Sequence, residues 1–163
     1  MSASKRDEIF EQSQQRHLMV VGLLTALKDN FDHETAFRIA VEAFSNYMVN
    51  YYSLVLDGTE KGSQERFDAF RKHYERYANK SAYCRIIEST PTVLKVRYDR
   101  CPFAEVMEKY ELSELTYAFC LSDPAFTKEI LPSVDFHRRH VIVKGDAFCD
   151  HAWTYKNPKK NSK

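Results

Sequence analysis

The sequence predicts an α+β fold, with N-terminal helices packed on a small, mostly antiparallel sheet. Apolar residues recur at helical spacing as far as Asn79, then alternate with period two around Ser89-Thr90-Pro91 and again around Gly145-Asp146. Composition agrees: 44% hydrophobic and 13% aromatic residues in a chain of 163 give enough apolar surface for one core, which excludes disorder over most of the length. One domain is expected over residues 1–156, with a polar, disordered tail at 157–163.

From Ser4 to Asn30, Leu18, Val21, Leu24 and Leu27 fall on one stripe and predict one long first helix. Asp32 caps a second, whose apolar residues from Ala36 to Val55 cover more than one face until Asp57-Gly58 ends it, the mark of an enclosed helix. Gly58 to Gly62 reads as a loop, and Ser63 caps a third helix with Phe67, Phe70, Tyr74 and Tyr77 on one stripe. Tyr83–Glu88 and Thr92–Tyr98 form a hairpin. Two shorter helices follow, Pro102 to about Tyr110 and one from Ser113, which Asp123-Pro124 interrupts as a fresh cap and first residue. A second hairpin, Phe136–Val143 with Phe148–Tyr155, closes the fold around Gly145-Asp146.

The net charge of +1, from 24 Lys and Arg against 23 Asp and Glu, offers no bulk field for a polyanion, so no nucleic-acid partner is expected. The polar start Met1 to Glu8 does not read as a signal peptide, and no apolar run is long enough to cross a bilayer, so the expectation is a cytoplasmic protein with no membrane partner. There Cys84, Cys101, Cys120 and Cys149 are reduced, and no CxxC pair points to a zinc ribbon or a thioredoxin site.

Three of these thiols stand beside residues that could use them. Cys101 precedes Pro102 at a helix start, where unpaired N–H groups and the helix dipole favour a thiolate; Cys120 is followed by Asp123, and Cys149 by Asp150. The competing reading is that each is a small buried hydrophobe. If the last hairpin turns symmetrically about Gly145-Asp146, Ile142 faces Cys149, His140 faces His151 and Arg138 faces Trp153, all on one sheet face. That face is then either solvated or the wall of a polar cavity.

The stretch from Arg100 to His151 resembles the L-2-amino-thiazoline-4-carboxylic acid hydrolase family, through Cys101-Pro102 opening a helix, Phe119-Cys120 with Asp123 close behind, Arg138, and Gly145-Asp146 followed by Cys149-Asp150. The resemblance implies a vinyl-reductase-like, ligand-binding α+β fold and the hydrolytic opening of a thiazoline ring to an N-carbamoyl derivative of cysteine. Such a reaction needs a nucleophile at the ring carbon, a proton for the departing heteroatom and a cation for the carboxylate. The residues fitting those roles are Cys101 as nucleophile, Asp123 or His140 as proton carrier, and Arg138 as carboxylate clamp, with Cys120, Cys149 and His151 lining the site. Asp123 could equally serve as a plain helix cap. The substrate expected is a small carboxylated cyclic amidine or thiazoline, with no cofactor and no resident metal; a homo-oligomer is left open. The alternative from another class is a small-molecule or metal sensor, in which Cys101, Cys120 and Cys149 converge on zinc or an iron–sulfur cluster.

Overall fold

Asp32 and Ser63 start the two longest helices as expected, their side chains accepting the N–H groups of Thr35 (2.9 Å) and Arg66 (3.1 Å). The structure, a computed structural model, describes residues 3–156, so the tail expected at 157–163 lies outside it. Its order is α1 (Ala3–Gln15), α2 (Leu18–Asn30), α3 (His33–Val55), α4 (Gln64–Lys80), β1 (Cys84–Ser89), β2 (Val93–Tyr98), α5 (Pro102–Lys109), α6 (Ser113–Cys120), α7 (Ser122–Ile130), β3 (Val134–His137), a 3-10 turn (Ile142–Lys144) and β4 (Cys149–Tyr155). The four strands form one antiparallel sheet in the order β1-β2-β4-β3, which makes the fold α+β.

The expected single first helix is two. The chain turns at Arg16-His17 because its halves dock on different partners. In α1, Phe10 meets the edge of Tyr83 and lies under the Arg100 guanidinium (3.5 Å), while Ser13 hydrogen-bonds the Tyr83 hydroxyl (3.1 Å). In α2, Val21 and Leu24 join a separate core with Ala36, Ala40 and Phe44 of α3, Phe103 and Met107 of α5, and Leu115 of α6. A second core lies between the sheet and α4 and α7, with Trp153 at full burial among Phe70, Tyr74 and Phe136 and its indole N–H donated to Thr127 Oγ1 (3.1 Å). Helix α3 serves both, Phe44 in the first and Tyr52, stacked on Phe126 (4.6 Å), in the second.

The last hairpin departs from the symmetrical register. Phe136, not Arg138, faces Trp153, a displacement of two residues that preserves which face each side chain takes. The cause is an asymmetric turn. Lys144 N–H returns to Val141 O (2.8 Å) and Asp146 N–H to the same oxygen (3.3 Å), with Gly145 at φ +95°, so β3 ends at His137 and residues 138–148 form a loop instead of strand and tight turn. The face expected to be solvated or a cavity wall is core: Cys149, His151, Trp153 and Tyr155 are all buried.

Candidate active site

Cysteine 101 caps α5, its Sγ accepting the N–H of Ala104 at 3.4 Å, with Pro102 at the first helical position as the sequence suggested. Asp123 does not cap. Leu121 alone separates α6 from α7, in helical conformation, and the Asp123 carboxylate in the first turn of α7 points to Arg138, whose Nη1 lies 2.8 Å from its Oδ2. Arg138 Nη2 donates to the Cys120 carbonyl at the end of α6 (3.0 Å). Both side chains are nearly enclosed, so this is a buried ion pair.

His151 of β4 brings its Nε2 to 3.9 Å from Asp123 Oδ2, beyond hydrogen-bond reach, and its Nδ1 is buried with no partner. The ring stands among Tyr98, Phe136 and Trp153. Tyr98 continues the polar line to Tyr74 through a 2.6 Å hydroxyl contact. Cys120 and Cys149 pack with Val141, and Tyr98, Tyr117, Ile142 and Val143 border them, so the 138–148 loop roofs the cluster. Cys149 Sγ accepts the N–H of Ile142 (3.1 Å), so this one pairing of the symmetrical register survives. His140 is not brought in. Its side chain is 45% exposed, faces Asp146 across 3.7 Å and lies tilted against the Phe148 ring at 4.5 Å, because the loop leaves the sheet before residue 140.

Burial dominates the protonation states. It pushes the Cys101 thiol up to about 11, against the opposing Ala104 N–H, and Cys120 up to about 12; Cys149 is raised as well. Cys101 and Cys149 add to the upward shift of Cys120, and Cys149 adds to that of Cys101. The thiolate expected of Cys101 is therefore not its resting form: desolvation outweighs the helix start. Burial lifts Asp123 to about 7, with Arg138 pulling the other way, and pushes His151 down to about 3, with Arg138 adding to the effect. At neutral pH the site holds neutral thiols, a neutral imidazole and a guanidinium facing a carboxyl raised to about 7.

An alkylating probe at pH 7 should thus label Cys101 far more slowly in the folded chain than in urea, although its side chain is only half-buried, because burial raises its thiol to about 11. Labelling of Cys101 at the same rate in folded and unfolded chain, followed by mass spectrometry, would contradict this account of its environment.

Among the described residues no group of three or more His, Cys, Asp or Glu side chains is placed to hold a metal ion. Two surface clefts lie elsewhere. One, of about 510 Å³, is bordered by Val55, Lys72 and Arg76, and the other, of about 250 Å³, by Lys28, Phe31 and Glu114. Neither borders the buried cluster. No described helix is long and apolar enough to cross a membrane.

The sequence model of the L-2-amino-thiazoline-4-carboxylic acid hydrolase family matches residues 12–153, nearly the whole chain. The chain belongs to this family. It is accordingly a member of a group of hydrolases described by a thiazoline carboxylate substrate, and the match extends well beyond the C-terminal stretch that suggested it. No curated protein matches. Among solved structures, a trafficking protein particle complex subunit 3 from Naegleria fowleri, covalently bound to palmitic acid, is similar over 90% of this chain and 97% of that one, at 14% identity and a TM-score of 0.49.

Sequence reasoning missed Tyr98, Tyr74 and Val141. The alternation Leu94, Val96, Tyr98 on β2 carried a usable signal for the first, since it puts Tyr98 on the buried face opposite Cys149. Val141 had none, because its place depends on the asymmetric turn.

Proposed function

We propose that the chain hydrolytically opens a small carboxylated cyclic amidine or thiazoline-type ring at the cluster of Cys101, Cys120, Cys149, Asp123, Arg138 and His151. The observation that carries this reading is the buried Arg138–Asp123 pair beside Cys120 and Cys149, with an unpartnered His151 Nδ1 next to it. A guanidinium suits a substrate carboxylate, and a carboxyl raised toward neutrality suits proton transfer.

Cys101 adds to the ring carbon between the two heteroatoms as its thiol proton passes to the amidine nitrogen. The ring C–S bond breaks as protonated Asp123 gives its proton to the departing sulfur and takes up the one on that nitrogen. Water then attacks the same carbon, its oxygen stays there, and Cys101 leaves as a thiol, so the net change is one water added. A substrate carboxylate would replace Asp123 on Arg138 while Asp123 is protonated, which keeps the buried charge balanced. Because Val141 and Ile142 lie over the thiols, a substrate reaches them by displacement of the 138–148 loop. Four free thiols suit a reducing compartment such as the cytoplasm.

The test is incubation with 2-amino-thiazoline-4-carboxylate, following the new thiol colorimetrically and the added water by mass. The intact chain is expected to turn over. Cys101→Ser should lose at least about 10²-fold in turnover while keeping its Tm within a few degrees, since a hydroxyl preserves the cap. Full activity in that variant removes the nucleophile assignment, and no turnover by the intact chain removes the reading.

A further inference from the structure

The Gly145-Asp146 and Cys149-Asp150 segments carry carboxylates that the proposed chemistry does not use. On β4, Cys149 and His151 face the cluster and Asp150 faces away from it, toward the loop. There Asp150 Oδ1 accepts two successive backbone N–H groups, Arg139 at 2.9 Å and His140 at 2.6 Å, and the Asp150 N–H returns to His140 O (3.4 Å). One carboxylate thus fixes the peptide planes just after Arg138. Asp146 Oδ2 holds the next N–H, of Val141, at 2.7 Å.

We propose that Asp150 is a positioning residue for the hydrolase site, acting through Arg138: its grip on the Arg139 and His140 amides sets the direction in which the guanidinium enters the cluster and so its hold on Asp123. The role deepens the hydrolase reading and rests on it for its catalytic consequence, while the geometric part stands alone. Loss of the grip lets the backbone at 139–140 swing, and a displacement of about 1 Å at a reacting group is enough to cost roughly 10²-fold in rate.

The groups facing Asp123 make it a reporter. Besides Arg138 they are Tyr52 from α3, Tyr74 from α4, Cys120 from α6, and Cys149 and His151 from β4, all neutral at pH 7, so Arg138 is the charge that governs its titration. Asp150 itself faces Arg97 across the strand pair and His140 in the loop. Burial tends to raise its carboxyl, but the His140 and Arg139 amides and the His140 ring leave it below the ordinary value.

The experiment is the titration of the Asp123 carboxyl carbon by NMR in the intact chain, in Asp150→Ala and in Asp150→Asn. Asp150→Ala should raise the Asp123 midpoint by about one pH unit or more, as a carboxyl does on losing an arginine partner. Removal of a negative charge alone would lower it, so a rise reports the guanidinium's departure. Asp150→Asn keeps an acceptor oxygen and should leave the midpoint unmoved or slightly lower. An unmoved or lowered midpoint in Asp150→Ala overturns the proposal. If that variant does not fold, Asp150→Asn decides through amide exchange: a raised midpoint with Arg139 and His140 still protected, or an unmoved one with that protection lost, overturns it. In active protein the pH profile of ring opening should move with the Asp123 midpoint. Absence of turnover in every form, with the expected midpoint shift present, sinks the hydrolase reading and leaves the positioning role standing.

Discussion

Replacing Arg138 by Met is expected to destabilise the fold by about 3–5 kcal/mol at pH 8.5, the cost of leaving a buried carboxylate without its partner. The two side chains are 8% and 13% exposed, and their contact of 2.8 Å is backed by the Arg138 bond to the Cys120 carbonyl. Met fills much of the stem's volume, so packing contributes little to the loss. The penalty should shrink at pH 5.5, because Asp123, already raised by burial, then takes up a proton instead of standing charged. The double variant Arg138→Met with Asp123→Asn should recover much of the loss at pH 8.5, since no buried charge remains. Urea unfolding at the two pH values measures all of this. An equal loss at both would show that Arg138 acts through packing.

Asp123 and His151 should also give opposite pH dependences that hide each other. Asp123 titrates at about 7 in the fold against 3.8 for an ordinary aspartate, so the folded state holds the extra proton and stability from this group falls as pH rises from about 4 to 7. His151 titrates at about 3 against 6.5, so the unfolded state holds the extra proton and stability from this group falls as pH drops from about 6.5 to 3. Between about 4 and 6.5 the proton that unfolding adds to His151 is the one it removes from Asp123, and the pair contributes almost no slope. Single replacements expose each half. In Asp123→Asn stability should fall toward acid, and in His151→Phe it should fall toward neutrality, each by an amount on the order of a few kcal/mol across its window. Unfolding free energies at pH 4.5, 5.5 and 6.5 decide it, and slopes of the same sign in the two variants would refute the assignment.

Helix starts and face alternation were legible in the sequence because they depend on neighbours in the chain. Asp32, Ser63 and Cys101 each cap the helix they were expected to cap. Cys149, His151 and Trp153 do share a face, since a displacement of two residues preserves parity. Legibility ended where distant partners decide. Arg16-His17 breaks a continuous pattern because Tyr83 and Phe44 draw its two halves apart, and His140 leaves the site because a 3-10 turn shortens the strand before it. Asp123 looked like a cap beside Pro124, and only Arg138, fifteen residues on, turns its carboxylate inward. Cys101 shows a conflict of magnitudes: the helix start was visible, while the enclosure that outweighs it was not.

Helix α3, 23 residues and about 34 Å long, is not the enclosed helix its sequence suggested: it lies along both apolar cores, with Phe44 committed to one and Tyr52 to the other, while Tyr47 and Leu54 stay exposed. Melting either core alone would strip half of that helix of its packing while the other half stayed folded, leaving apolar surface exposed and a helix end without a cap. That makes partial melting expensive and ties the two cores into one cooperative transition. Cys101 belongs to the edge of one core and Cys149 to the strand that carries Trp153 in the other, so the two thiols stand on either side of the seam that α3 spans. The stability of the whole molecule, and not only local contacts, therefore sets where Cys101 stands relative to Cys149.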